Sequence, residues 1–195
     1  MATGRPREFD LDERLDRAMH VFWRQGYEGT ALADLTEAMG INKPSLYAAY
    51  GNKESLFLKV VDRYEAGPAG YVQRALAAPT ARTAAEALMR GAIELTTSGP
   101  GGCLFVQGAL ATGAQSAQVR EELATRRRAA QVQLRERFEK ACAEGDLASD
   151  VDVDALARSI WATTYGLAVQ AASGATAAEL SCAVDMALAG WPESR

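Results

Sequence analysis

The sequence predicts an all-α protein, and three observations support that prediction. Apolar residues recur every three or four positions in one segment after another, as on one face of a helix. No segment sustains the alternation of apolar and polar residues that is typical of a strand. Glycine or proline follows most of the helical stretches, where helices commonly end. The 195 residues, 48% of them hydrophobic and 24% charged, are enough for one or two globular domains with a substantial core.

Four helices are predicted in the first third of the chain, each with an apolar stripe on one face. Thr30 is the expected N-cap of the second helix, and Asn42 and Asn52 are the expected N-caps of the third and fourth. Their side chains can accept hydrogen bonds from the free N–H groups of a first helical turn. The four helices are predicted at residues 11–26, 30–40, 42–51 and 52–65.

Five further helices are predicted beyond Gly70. The segment that begins at Cys103 is apolar on nearly all sides, so we expect it to be buried. The consecutive arginines 126–128 spread around most of a helix, which favours a solvated face over a second nucleic-acid patch. The five helices are predicted at residues 83–97, 103–112, 117–144, 152–173 and 176–190.

Charge is distributed unevenly along the chain. The formal net charge is -4, whereas domains that bind nucleic acids usually carry a basic excess. Residues 41–60 differ from the rest, because Lys43, Lys53 and Lys59 stand against Glu54 alone. Any contact with DNA is therefore expected from a local patch.

Several classes of protein are excluded by what the sequence lacks. No apolar stretch is long enough to span a bilayer and the first residues form no signal core, so we expect a cytoplasmic protein without a membrane partner. The three cysteines are far apart, which favours thiols over a disulfide framework or a zinc site. No nucleophile–base pair, metal cluster or phosphate loop is visible, so we expect no catalytic residues, no metal and no cofactor.

The second and third predicted helices are short and joined by a tight glycine-containing turn, as in a helix-turn-helix motif. The second helix of that motif enters the major groove of DNA. Small side chains at Ser45 and Ala48 would let the backbone approach base edges, and Lys43 can reach a phosphate or a guanine. Lys53 and Thr30, at the starts of the two neighbouring helices, are placed for phosphates.

Residues 26–57, GYEGTALADLTEAMGINKPSLYAAYGNKESLF, strongly resemble the tetracycline-repressor (TetR) family of bacterial transcription regulators. They match its Gly-x-x-x-Thr segment, its glycine-containing turn, its Ser-Leu-Tyr recognition helix and its Lys-Glu-x-Leu-Phe segment. The resemblance implies an N-terminal three-helix DNA-binding domain and a C-terminal helical domain for effector binding and dimerisation. It also implies a homodimer formed through the last two helices and release from a palindromic operator when a small molecule binds. Beyond about residue 65 the resemblance is one of layout.

The family's DNA-contacting positions carry over to this recognition helix and its surroundings, while Leu46 and Tyr50 match core positions. One residue departs from the pattern: many relatives place a histidine that touches a phosphate where this chain has Ala49. Its absence removes one backbone contact and leaves a more apolar reading surface. The residues predicted to contact DNA are Thr30, Lys43, Pro44, Ser45, Tyr47, Ala48 and Lys53.

A regulator of this kind needs a cavity between its effector-domain helices, lined by apolar groups and a few polar ones. Aromatic and sulfur side chains at helical spacing supply such a lining, although most side chains of this kind are plain core residues. The residues predicted to line the cavity are Met89, Ile93, Cys103, Leu104, Phe105, Trp161 and Tyr165.

Cys103 has two possible roles. It follows two glycines and precedes a predicted helix, whose dipole would lower the pKa of its thiol. Some TetR relatives have a similar Gly-Cys-Leu segment and sense electrophiles or oxidants through the cysteine. A buried cysteine that packs as a small hydrophobe is the commoner alternative.

The last two predicted helices carry apolar stripes that are flanked by alanine and glycine. A two-fold dimer would bury both stripes in a four-helix bundle, whereas packing inside one effector domain is the alternative. The stripes are Leu156, Ile160, Thr164 and Leu167 on one helix, and Leu180, Val184, Ala187 and Trp191 on the other.

The resulting prediction is a homodimeric, ligand-responsive repressor whose partners are a double-stranded DNA operator and a small-molecule effector. We expect a DNA-binding domain at residues 1–51, a connecting helix at 52–65 and an effector-binding and dimerisation domain at 66–195. The effector would shift the connecting helix and change the separation of the two recognition helices. The alternatives are a thiol-based sensor acting through Cys103 and a helical enzyme or small-molecule-binding protein that merely keeps the hairpin.

Overall fold

A computed structural model describes residues 5–99, 101–110 and 116–192 of the chain. Within these residues the chain forms ten α-helices, one short 3-10 turn at Pro68–Gly70 and no strand, which confirms the predicted all-α class. The helices are α1 Arg5–Gly29, α2 Leu32–Met39, α3 Lys43–Tyr50, α4 Lys53–Ala66, α5 Tyr71–Leu76, α6 Ala81–Ser98, α7 Leu104–Leu110, α8 Ala117–Glu144, α9 Val153–Ala172 and α10 Ala177–Ala189.

The turn between α2 and α3 is fixed by a glycine and an asparagine. Gly40 takes a left-handed conformation (φ 64°, ψ 37°), and the N–H of Ile41 donates to the carbonyl of Thr36 at 3.0 Å. Asn42 then caps α3 by accepting from the N–H of Ser45 at 2.9 Å. Asn52 caps α4 in the same way, and both predicted caps are confirmed.

Thr30 is not the N-cap of α2, and this prediction is wrong. Thr30 is 2% exposed, and its hydroxyl donates to the carbonyl oxygen of Gly26 at 2.6 Å. Gly26 interrupts the helical geometry of α1 with a positive φ of 70°, which brings that carbonyl back towards Thr30. Ala31 takes the cap position instead, and its N–H donates to the carboxylate of Asp34.

Two clusters of buried side chains organise the molecule. The first fills the space between α1, α2, α3 and α4 and includes edge-to-face pairs of Phe22 with Phe57 and of Trp23 with Tyr64. It continues into the C-terminal part through Leu104 of α7 and the first turns of α8. The second cluster joins α6 to the later part of α8, α9 and α10. The first four helices and the larger helical part therefore share a packed surface.

The later helices follow the predicted segments closely at α8, α9 and α10, and α6 begins two residues early. The short helix α5 and the 3-10 turn before it were not predicted. The prediction for 103–112 is confirmed as α7, while residues 111 and 112 lie outside the described residues. This segment is only partly buried: Leu104 and Gly108 are enclosed, but Phe105 and Gln107 keep some exposure.

The apolar stripes of the last two helices are buried inside one chain, not against a second copy. Ile160, Leu167, Leu180 and Val184 are all 3% exposed or less, and they belong to the cluster that also contains α6. The alternative of packing within one effector domain is confirmed for these stripes. The predicted burial of the stripes between two protomers is wrong, because α6 already covers them.

No helix in the described part of the chain is both long enough and apolar enough to cross a membrane.

Candidate DNA-binding surface and effector cavity

The predicted recognition helix α3 turns one face to the core and the other to solvent. Leu46 and Tyr50 are buried, and the hydroxyl of Tyr50 donates to the carbonyl oxygen of Leu11 at 3.1 Å. Both residues thereby anchor α3 to the helices beneath it, as predicted from the sequence. The outward face consists of Lys43, Pro44, Ser45, Tyr47, Ala48 and Ala49, all of them exposed.

This outward face suits a close approach to DNA. The sequence of α3, KPSLYAAY, contains no acidic residue, and most of its outer side chains are small. Tyr47 is the largest of them and is 48% exposed, although a tyrosine ring usually finds a packing partner. An exposed aromatic beside an exposed lysine is a combination that can contact both base edges and backbone.

Lys53 is held in place by an aromatic ring. Its Nζ lies 4.5 Å from the centroid of the Tyr27 ring, and that ring packs edge-to-face on Phe57. Partial burial lowers the pKa of Lys53, while the Glu28 carboxylate opposes this change. The ammonium group is therefore positioned at the start of α4 beside the free N–H groups of its first turn. Sequence reasoning found Lys53 but missed Tyr27.

Thr30 is the one predicted DNA-contacting residue that lies inside the protein. Its hydroxyl is already committed to Gly26. It therefore stabilises the link between α1 and α2, and the predicted phosphate contact has no exposed hydroxyl to make it. The other six predicted residues lie on the surface at α3 or at the partly exposed start of α4.

A cavity of about 330 Å³ lies beside α4, between α5, α6, α7, α8 and α9. Its walls are mainly apolar and aromatic, and a few polar side chains face it, as in typical small-molecule sites. The lining residues used below are Tyr64, Glu65, Tyr71, Cys103, Phe105, Arg126, Arg127, Trp161, Thr164 and Tyr165.

The structure brings four of the seven predicted cavity residues together, namely Cys103, Phe105, Trp161 and Tyr165. The other three lie in the cores. Met89 and Ile93 pack in the cluster around α6, and Leu104 packs in the cluster around α1 and α4. On the short helix α7, Leu104 and Phe105 point to different sides, and the sequence did not indicate which side met the cavity.

Three tyrosine hydroxyls and the Cys103 thiol are among the polar groups that line the cavity. The hydroxyl of Tyr64 donates to Sγ of Cys103 at 3.7 Å. Burial raises the pKa of Tyr64, Tyr71 and Tyr165, so these hydroxyls are neutral and able to donate. Tyr64 and Tyr71 were not predicted as cavity residues.

The pKa of the Cys103 thiol is raised, which contradicts the predicted lowering. Burial is the main cause and favours the neutral thiol, whereas the N–H groups of Val106 and Phe105 and the charge of Arg127 act in the opposite direction. The helix start does favour a thiolate, but removal of water has the larger effect. Cys103 therefore lines the cavity as a protonated thiol.

The predicted solvated face at residues 126–128 is wrong for two of the three arginines. Arg126 bonds to Asp62 and Glu65 of α4, at 2.7 and 2.5 Å, and to Glu122 of α8 at 2.8 Å. Partial burial alone would lower the pKa of Arg126, but these carboxylates raise it. Arg127 faces the cavity, and only Arg128 lies mainly in solvent.

A second connection links the cavity to the DNA-binding helices. The indole Nε1 of Trp23 on α1 donates to the carbonyl oxygen of Gly102 at 2.9 Å, just before Cys103. The Trp23 ring also packs edge-to-face on Tyr64 of α4. Trp23 of α1 is therefore in direct contact both with Tyr64 of α4 and with the residue before Cys103.

An exposed, acid-free recognition helix on a helix-turn-helix, together with a cavity beside the connecting helix, defines a class of protein: the helix-turn-helix DNA-binding regulators. Two family models match the chain in agreement with this. One, described as "Bacterial regulatory proteins, tetR family", matches residues 15–60. The other, described as "Tetracyclin repressor-like, C-terminal domain", matches residues 79–185, more than half of the chain. The chain belongs to the TetR family of bacterial transcription regulators, which is a non-enzymatic class.

Individual relatives agree with this assignment. The HTH-type transcriptional repressor ComR of Escherichia coli (strain K12) is 32% identical over 196 residues, which cover 98% of this chain and 93% of ComR. The HTH-type transcriptional repressor BdcR of the same strain is 34% identical over 109 residues, or 54% of this chain and 55% of BdcR. Among solved structures, a cysteine mutant of the TetR family transcriptional regulator CifR, complexed with 26bp double-strand operator DNA, has a TM-score of 0.91 and 42% identity. That match covers 96% of this chain and 100% of the CifR chain.

Proposed function

We propose that this protein is a homodimeric repressor that binds a palindromic operator through α3 and the start of α4 and is released when a small molecule fills the cavity. The observation that carries the proposal is the exposed face of α3, with Lys43, Ser45 and Tyr47 on a helix that is anchored from below. The solved operator complex of CifR and the repressor names of ComR and BdcR support it. A regulator that binds the chromosome acts in the cytoplasm, which is the compartment that we propose.

The outer faces of α9 and α10 are the proposed dimer interface. We call this surface the outer face; its residues are exposed or partly exposed, uncharged and mostly small. Met186 is 76% and Val169 is 44% exposed, which is unusual for large apolar side chains. Small residues at spacings of three and four let helices approach closely in a four-helix bundle. The outer face consists of Ala155, Ser159, Ala162, Gly166, Val169, Ala178, Cys182, Met186 and Ala189.

The proposed route from the cavity to DNA runs through α4. Its residues Tyr64 and Glu65 line the cavity, and the same helix begins with Lys53 at the proposed DNA surface. A ligand that moves Tyr64 relative to Arg126 would tilt α4 and change the separation of the two recognition helices in the dimer. Half-sites lie about one helical turn apart on one face of DNA, so a shift of a few ångströms is enough to lose register. The effector needs only a preference for the conformation that does not fit DNA.

The proposed domain division places the DNA-binding domain at residues 1–51, the connecting helix at 52–65 and the effector-binding and dimerisation domain at 66–195. Support for this division comes from the two buried clusters, which have no residue in common. The first cluster also takes in Leu104 and the start of α8, so the two domains would move against a packed contact. That contact is a suitable place for an effector to act.

The test is fluorescence anisotropy with DNA from immediately upstream of the coding sequence, or with a site selected from a random library. Saturable binding to a two-fold symmetric site that weakens steeply with salt is expected. Lys43→Ala and Tyr47→Ala are expected to weaken it, each by about tenfold. Lys140→Ala removes an exposed lysine of α8, paired with Glu144, and serves as the matched control. Failure of library selection to yield any preferred site would reject the repressor function.

Thiol sensing through Cys103 is the second candidate function, favoured by one observation. The thiol lines the cavity and its sulfur accepts a hydrogen bond from the hydroxyl of Tyr64. Modification of that sulfur would therefore break a contact to α4. Cys103→Ser distinguishes the two functions. Retained operator binding with lost response to electrophiles would support thiol sensing, and an unchanged response would reject it.

A further inference from the structure

The cavity contains one cation whose charge has no carboxylate partner among the described residues. Three charged residues line it, and two of them, Glu65 and Arg126, bond to each other. The third, Arg127, forms no ion pair within the described part of the chain. Its Nη1 donates to the carbonyl oxygen of Phe105 at 3.0 Å, which uses one of the five N–H donors of the guanidinium.

Most other polar groups of the cavity are already bonded within the protein. The indole N–H of Trp161 donates to the Ala130 carbonyl at 3.2 Å, and the Thr164 hydroxyl donates to the Ile160 carbonyl at 2.8 Å. The hydroxyls of Tyr71 and Tyr165 differ, because neither forms a hydrogen bond to another described residue. Both are neutral donors, since burial raises the pKa of each. Arg127 is therefore the charged group of the cavity without an ion pair among the described residues, and the hydroxyls of Tyr71 and Tyr165 can add hydrogen bonds to a ligand.

The remaining walls of the cavity suit a flat apolar body. Trp161 and Tyr165 stack with ring centroids 5.3 Å apart and an angle of 28° between their planes. Phe105 lines the cavity as well, and its ring packs against Tyr64. A volume of about 330 Å³ is at the small end for ligand sites, which favours a molecule with a single ring.

We propose that the effector is a small carboxylate with a ring-sized apolar body, and that Arg127 binds its carboxylate group. The inference rests on the proposed function, because it names the ligand of that same cavity. Guanidinium and carboxylate groups match in a planar pair of parallel hydrogen bonds, and Tyr71 or Tyr165 can add a further bond. A neutral ligand of the same shape would leave the charge of Arg127 unmatched in a partly buried site.

The carboxylates near Arg126 do not cancel this preference. Glu122, Glu65 and Asp62 are bonded to Arg126, and their side chains are 37%, 43% and 64% exposed. Their charges are accordingly screened by solvent as well as balanced in part by Arg126. Arg127 points the other way, to Phe105 and to the cavity wall that Tyr165 shares.

The experiment is isothermal titration calorimetry of the full chain with acids and their neutral isosteres. The probes are benzoate with benzamide and cyclohexanecarboxylate with cyclohexanecarboxamide. We expect each acid to bind at least about tenfold more tightly than its amide, as for a charge-assisted bond in a partly buried site. Arg127→Gln should abolish this preference. Arg128→Gln, a change to the neighbouring solvent-exposed arginine, should leave it intact.

Three results would overturn the inference: equal binding of acid and amide, a preference that survives Arg127→Gln, or no binding of any acid. The comparison of acid with amide uses the unaltered protein, so it holds even if Arg127→Gln fails to fold. The calorimetry needs no DNA and is separate from the operator assay. If neutral molecules release the protein from its operator and carboxylates do not, this inference is wrong and the proposed function is retained. Failure of the unaltered protein to bind any operator would reject the proposed function, whereas the calorimetry would still measure whether Arg127 selects carboxylates.

Discussion

Arg126 on α8 bonds to Asp62 on α4 with 2.7 Å between Nη2 and Oδ1, and this pair joins α8 to α4 beside the cavity. The same guanidinium bonds to Glu65 one turn further along α4, and both Arg126 and Glu65 line the cavity. A molecule in the cavity would therefore touch residues that hold α4 against α8.

Replacement of Arg126 by methionine is expected to destabilise the protein by about 1–2 kcal/mol, because three ion pairs vanish and Asp62, Glu65 and Glu122 then repel one another. Urea unfolding measures the change. Arg128→Met is the matched control, since Arg128 pairs with Glu121 in solvent and its loss should cost under about 0.5 kcal/mol. Equal effects of the two replacements would show that the Arg126 network adds no stability.

Gly91 of α6 provides the second prediction. A Cβ atom at this position would lie 2.4 Å from Cδ2 of the Tyr71 ring, which lines the cavity. Gly91→Ala is therefore expected to displace that ring and to destabilise the fold by about 1–3 kcal/mol, despite the better helix propensity of alanine.

The control for Gly91→Ala is a double-mutant cycle with Tyr71→Ala. In the Tyr71→Ala background the atoms that meet the added Cβ are gone, so Gly91→Ala should be neutral or stabilising by up to about 1 kcal/mol. Thermal unfolding of the four proteins measures this coupling. The same penalty in both backgrounds would mean that Tyr71 is not the obstacle.

Much of the fold could be predicted because its signals are local. The caps Asn42, Asn52, Asp152 and Thr176 each accept a bond from an N–H group three residues ahead, so each helix start is encoded within one turn. The partner of an apolar stripe is not encoded locally. Ile160 and Val184 show that a face will be buried, but the sequence does not state whether α6 or a second chain will cover it.

The DNA surface leads to a third prediction, at Tyr27. Its ring holds the ammonium group of Lys53 at 4.5 Å. Tyr27→Leu removes the ring face, so we expect operator affinity to fall by about twofold to fivefold, the equivalent of an exposed cation–π contact. Tyr27→Phe keeps the ring and should bind like the unaltered protein. Fluorescence anisotropy at several salt concentrations measures the operator affinity of both variants. An unchanged affinity of Tyr27→Leu would show that the contact between Tyr27 and Lys53 does not contribute to DNA binding.

The candidate sites were less predictable than the helices, for a reason that Arg126 and Arg127 illustrate. Three arginines in a row occupy different sides of a helix, and the sequence alone does not reveal which side meets another element. Here α4 lies beside Arg126, which bonds to Glu65, and α7 lies beside Arg127, which bonds to the carbonyl oxygen of Phe105. Tyr71 was missed similarly, because it begins a short helix with no periodic signal of its own.

The thiol of Cys103 gives a fourth prediction, on pH dependence. Burial raises its pKa, so at every pH below that value the folded protein holds less thiolate than the unfolded chain. Alkylation of Cys103 by iodoacetamide at pH 8 should be about tenfold slower in the folded protein than in denaturant. The rise of the alkylation rate with pH should also occur at a higher pH in the folded protein. Mass spectrometry of the modified peptides measures both rates. Faster alkylation in the folded state would mean that the dipole of α7 outweighs burial.

The outer face of α9 and α10 gives the last prediction. Ala162 lies at its centre on α9, exposed and between Ser159 and Gly166, where a second copy would have to approach closely. Ala162→Arg should therefore shift the mass measured by light scattering from dimer to monomer without loss of helical circular dichroism, since an arginine there has room in a single chain but not between two. Ala33→Arg, at an exposed alanine of α2, adds the same charge elsewhere and should leave the dimer intact. Because a palindromic site needs two recognition helices, the Ala162→Arg monomer should also bind the operator at least about tenfold more weakly. A dimer that persists in Ala162→Arg would place the interface on another surface.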